Sequence, residues 1–143
     1  MTINGTLAET VKSAISSNSG FSDVTIVMAY ENEIKPTPID KPIVAISVKN
    51  CEISGKLDKV LDNGLTVETD DREVFTTISA YIYLPYSKSG NEGHKLFDKI
   101  ATFLLYTKDY NITKATCSKA DYDNNCEAII LRTQFVFKNV VSA

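Results

Sequence analysis

Between Glu73 and Leu105 the hydrophobic period changes once, and that change most limits the folds open to this chain. From Val74 to Leu84, Val74, Thr76, Ile78, Ala80, Ile82 and Leu84 alternate with Phe75, Thr77, Ser79, Tyr81 and Tyr83. This is the two-residue rhythm of a strand, whose successive side chains point to opposite faces. Both sets carry apolar surface, so the strand is expected centrally in a sheet or with its second face covered by a neighbour. Past Pro85 and a polar, glycine-containing stretch, Leu96, Phe97, Ile100, Ala101, Leu104 and Leu105 recur at helical spacing opposite Lys95, Asp98, Lys99 and Thr102. The junction predicts a long strand, a flexible joint capped by Ser89 or Asn91, and a helix.

The flanking segments fit around that unit. Leu7, Val11 and Ile15 form a first helical stripe, which Asn-Ser-Gly ends, with Gly20 expected in the left-handed or open conformation common at helix C-termini. Val24, Ile26 and Met28 alternate in a β-branched run and predict a well-buried first strand. Pro36, Pro38 and Pro42 exclude a central strand and predict an extended connection. In the next strand Val44, Ile46 and Val48 share a face, whereas Cys51 and Ile53 fall on the other parity; a bulge near Lys49 and Asn50 restores them to one side. Asn63-Gly64 predicts a hairpin excursion over Leu57–Asp70. Two closing strands follow, over Asn111–Ala120 and Glu127–Val141, separated by a turn at Asp121–Asn125. The expected architecture is one α+β domain over residues 1–143: helix, three strands with a hairpin excursion, helix, two strands. Both helices are expected on one face of a mostly antiparallel sheet. Tyr81, Tyr83, Arg132 and Gln134 are expected on the opposite face, against solvent, a second sheet or another subunit.

Composition narrows the chemistry. At 143 residues, 43% hydrophobic and 23% charged, the chain can bury a core without disulfides or metal. Its net charge of -3 argues against general nucleic-acid binding, and no apolar run approaches a membrane span. The N-terminus lacks the pattern of a signal peptide, which predicts a cytoplasmic chain with Cys51, Cys117 and Cys126 as structural thiols. His94 is the single histidine, so a zinc site, a thiol nucleophile or a Ser-His-Asp set would each depend on it. The Gly90–Lys95 stretch is too short for a Walker A loop, because only Asn91 and Glu92 separate its glycines, and Glu92 carries the wrong sign for an anion site at the helix start. Neither acidic stretch, Glu68–Glu73 or Asp121–Glu127, has the ligand spacing of a calcium loop. Glu68, Asp70, Asp71 and Glu73 read as a solvated turn or, functionally, as an acidic rim that repels phosphate and lets DNA slide past. No catalytic, cofactor or metal residues are assigned.

The N-terminal helix, the strand Lys41–Ile53, the strand Arg72–Tyr86 running through a polar loop into Gly93–Leu105, and the closing strand Ala128–Asn139 together resemble the phage tail-terminator family, the collar or tail-completion proteins of contractile tails and phage-tail-like bacteriocins. The resemblance covers nearly the whole chain and rests on element order. It implies a non-enzymatic virion or bacteriocin assembly protein, encoded by a phage or prophage, made in the host cytoplasm and then built into a particle. It also implies six copies in a ring on the last tube ring of a contractile injection system. The implied partners are the tube protein, the sheath end and the head connector, with no cofactor, membrane or specific nucleic-acid site. A closed ring needs two different surfaces on each copy. The candidate interface residues are Ile34, Pro36 and Pro38 in the proline segment, Leu61, Asn63 and Leu65 in the hairpin, and Tyr81, Tyr83 and Arg132 on the open sheet face. A neck or head-completion protein is the nearest alternative, and a small-molecule-binding α+β domain a more distant one.

Overall fold

A computed structural model describes residues 3–29, 39–88, 90–124 and 127–142. Two helices and a seven-stranded, mostly antiparallel sheet make an α+β fold. In chain order these are α1 (Ile3–Ser16), β1 (Thr25–Met28), β2 (Ile43–Val60), β3 (Thr66–Pro85), α2 (Gly90–Thr102), β4 (Ile112–Cys117), β5 (Asp121–Asp123), β6 (Ala128–Leu131) and β7 (Thr133–Val141).

β3 is the spine. It pairs with β2 along nearly its whole length, and on its other side with β6 near its C-terminal end and β7 further back. β5 adds to β6 and β4 to β7 as outer edges. On the far side β1 pairs with β2 in parallel, the one parallel pair among the described strands. Being a short edge strand, β1 is only half-buried, less than its β-branched run implies. Both helices cover one face. Ala8, Val11 and Ile15 of α1, with Leu96 and Ile100 of α2, pack on Val44, Ile46, Ile78, Ala80, Ile82, Leu84 and Phe135. Each fully buried side chain of this kind contributes on the order of 1.5–3 kcal/mol.

Several local expectations are corrected. Gly20 is not left-handed: helix α1 stops at Ser16, and Asn18 caps a separate 3-10 turn, Ser19–Phe21, by accepting from the Gly20 amide at 2.8 Å. The polar joint after β3 is shorter than expected, because Gly90-Asn-Glu-Gly already belongs to α2 and Asn91 sits inside the helix. Gly93 is what seats that helix: a Cβ there would lie 2.4 Å from Leu131 Cδ1 and 3.0 Å from Leu84 Cδ1. The end of α2 widens into a π turn, Phe103–Thr107, closed by the Lys108 amide donating to the Phe103 carbonyl at 2.9 Å. The last expected strand is interrupted at Arg132, although β6 and β7 keep one register against β3. There the Arg132 amide turns outward to Ser118 Oγ, 2.8 Å away. Asp121–Asp123, expected as a turn, forms β5 instead.

The second sheet face is not open where Tyr81 and Tyr83 lie. They join Ile43, Ala45, Ala128, Ile130 and Ile39, which precedes β2, in a second core, and Tyr83 has no exposed surface. Further along that face the apolar pairs give way to Ser47 across from Ser79, their hydroxyls 2.7 Å apart.

Candidate assembly arm

The bulge read from the parity change in β2 is present: pairing passes from Val48↔Ile78 to Asn50↔Thr77, which leaves Lys49 as the extra residue. Beyond it β2 and β3 outrun the rest of the sheet. The last rung shared with β7 is Arg72↔Val141, and from there residues 54–71 continue as a ribbon of two strands with no third neighbour among the described residues. Two further register shifts, between Ile53 and Lys56 and between Lys56 and Asp58, interrupt the ladder at its root. Side chains take over the bonds lost there. Arg72 Nη1 donates to the Ser54 carbonyl at 3.1 Å, the Glu73 amide donates to Ser54 Oγ at 3.2 Å, and Thr69 Oγ1 donates to the Leu57 carbonyl at 2.8 Å.

The tip is the Asn-Gly hairpin. The Gly64 amide donates to the Leu61 carbonyl at 2.9 Å, and the Leu61 amide donates to the Leu65 carbonyl at 2.7 Å. Gly64 alone takes a positive φ, +83°, so the turn places Asp62 and Asn63 at its centre and then a left-handed glycine. Asn63 accepts from the Leu65 amide at 3.1 Å, which fixes the closing corner.

What the ribbon displays is unusual for a free surface. Val60 is 70% exposed and Leu65 62%, with Leu61 and Val67 exposed beside them. A lone two-stranded hairpin is marginal in water, and these apolar side chains gain nothing from this chain's own core. The register puts Lys56, Asp58, Glu68 and Arg72 on one face, with Asp70 between the last two, and Lys59 and Val67 on the other.

The four acidic candidates do not converge. Glu68 and Asp70 flank Lys56 Nζ at 3.8 and 3.2 Å on the ribbon. Glu73 lies at the root, 3.1 Å from Lys138 Nζ, and Asp71 accepts from the Ser142 hydroxyl. The Lys56 pairs are exposed and worth at most about 1 kcal/mol each, whereas Glu73 and Lys138 are both half-buried. Of the interface candidates, Leu61, Asn63 and Leu65 come together at the arm tip, while Tyr81 and Tyr83 lie in the chain's own second core. Arg132 sits on the outer edge 3.5 Å from Asp121, and Ile34, Pro36 and Pro38 lie outside the described residues. The Tyr122 amide, with Arg132 and Lys119 adding to it, holds the Asp121 carboxyl below its usual range against an opposing effect of desolvation.

The groups tested for chemistry have structural partners. His94 donates from Nδ1 to the Gly90 carbonyl one turn back at 3.0 Å. Burial and then the Asp98 carboxylate push the Cys117 thiol up, the wrong direction for a thiolate nucleophile. Cys126 lies outside the described residues. Among the described residues no group of three His, Cys, Asp or Glu side chains is placed to hold a metal, and no helix is long and apolar enough to cross a membrane.

Sequence reasoning located the arm tip through Asn63-Gly64 and read the hairpin over Leu57–Asp70, a few residues short of the ribbon 54–71; what it did not show is that β2 and β3 run into that ribbon without a break. No hydrophobic alternation signals that continuity, because Glu68–Glu73 is polar at every position. No family model matches the chain, and no curated protein sequence matches it.

Proposed function

We propose that this chain is a structural assembly protein that forms a ring on the end of a phage-like tail tube, ends tube growth, and joins the tube to the sheath end or head connector. The observation that carries this reading is the ribbon 54–71. The α+β body spends two of its longest strands on a projection whose apolar tip finds no cover among the described residues. A projection of that kind is suited to gripping another protein surface, since burying Val60, Leu61, Leu65 and Val67 against a partner supplies the stabilisation the isolated ribbon lacks. The order of elements supports the same reading through its resemblance to tail terminators. Catalysis is not part of the proposal, and no residue is assigned a chemical step.

The test is electron microscopy of the full chain mixed with tail tubes assembled from the tube protein of the same particle. The expected result is a ring of six copies at one tube end and a fixed tube length. Tubes that elongate unchanged, with no added density at either end, would overturn the reading.

A further inference from the structure

If the chain closes into a ring, its arm must meet a defined surface, and charge identifies that surface; the inference therefore rests on the proposed function. Residues 54–71 carry Asp58, Asp62, Glu68, Asp70 and Asp71 against Lys56 and Lys59. The arm alone thus accounts for the chain's net charge of -3, and the body is balanced. Asp58 lies directly across from Glu68, a like-charge rung that is unfavourable in the free chain. An approaching cation relieves it.

A complementary surface lies at the other end of the spine. A cleft of about 240 Å³ between α2 and the start of β1 and β2 has Val24, Leu84 and Leu96 in its floor and Lys88, Lys95 and Lys99 around it. Two carboxylates face the same space, Asp23 and Glu92, the latter 3.7 Å from Lys95 Nζ. Lys99 is turned back, donating to the Gly20 carbonyl with its ammonium over the Phe21 ring. Lys88 and Lys95 are exposed at the mouth.

We infer that the acidic face of the arm docks in the lysine-rimmed cleft of a second copy of this chain, head to tail. The arm cannot fill its own cleft, because Glu68 and Leu84 stand on the same strand roughly 50 Å apart at ~3.3 Å per residue. Two different, mutually complementary patches on one chain make a heterologous contact, the type that closes into a ring. The cleft also offers what the arm is short of: an apolar floor for its tip and cations beyond Lys56, the one ammonium that Glu68 and Asp70 share.

Zero-length carbodiimide coupling tests the contact, since it joins a carboxylate to an amine only where the two touch. Applied to an equal mixture of nitrogen-14 and nitrogen-15 full-length chain, it is expected to give isotope-mixed isopeptide links from Glu68 or Asp70 to Lys88 or Lys95. Reversing the arm (Glu68→Lys with Asp70→Lys) or the cleft (Lys88→Glu with Lys95→Glu) should each weaken self-association on the order of tenfold or more, with melting temperature nearly unchanged. Combining all four should restore it. Arm links that run only to other lysines, or an arm reversal that abolishes association while the cleft reversal leaves it intact, would overturn this docking and leave the ring reading standing. A chain that caps tubes without any intermolecular link would do the same, whereas one that neither self-associates nor caps tubes overturns both.

Discussion

The two halves of β3 make an instructive contrast. From Ile78 to Pro85 every residue is buried, with helices on one face and the second core on the other; from Thr66 to Asp70 the same strand is exposed except for partly covered Thr69. The first half is held by β2, β6 and β7 together and by two layers of side chains, the second by β2 alone. Strand propensity also falls in the second half, where Glu68 and Asp70 replace the Ile and Tyr residues of the first. The number of neighbours falls with it, so packing and local sequence both weaken along one strand. The body is held from several sides, and the arm from one.

That contrast can be broken by substitution. Leu104→Ala, at a fully buried position within the π turn that extends α2, should lower stability by about 2–5 kcal/mol in denaturant unfolding; a change near zero would show that the end of this helix is not seated on the sheet as described. Gly93→Ala comes next, because Leu131 and Leu84 must move to admit the methyl group, at about 1–3 kcal/mol, and it sharpens the point that the helix rests on a missing Cβ. Val60→Asp with Leu65→Asp should change stability by less than about 0.5 kcal/mol yet abolish ring or tube-end assembly in light scattering and microscopy. If instead this pair unfolds the chain, the arm belongs to the body and the contrast is false.

The same contrast explains what the sequence revealed. Alternation of Val44, Ile46 and Val48 with a parity change at Cys51 located the Lys49 bulge, because one buried face enforces register. The stripe Leu96, Ile100 and Leu104 located α2, and Asn63-Gly64 the tip. Where neighbours decide, local pattern was silent. Ile129, Leu131, Phe135 and Phe137 keep one parity through Arg132, so nothing signalled that its amide turns to Ser118. Gly90 and Gly93 read as loop residues because their roles depend on residues far along the chain, Ala120 for Gly90 and Leu131 for Gly93. Tyr81 and Tyr83 looked available to a partner because the residues that cover them, Ile39, Ala128 and Ile130, come from other segments. The arm was read as a hairpin over Leu57–Asp70 but not as a two-stranded extension of the sheet, since local pattern shows that a strand exists without showing how many strands lie beside it.

Hydrogen exchange across β3, followed in the free chain at low concentration and again in the assembled tube end, tests the central claim most directly. The account predicts amides of residues 78–84 protected in both, near the global unfolding limit, and amides of residues 66–69 exchanging with little protection in the free chain but slowed at least about a hundredfold on assembly. Equal protection of both halves in the free chain, or an arm that stays unprotected in the assembled particle, would contradict it.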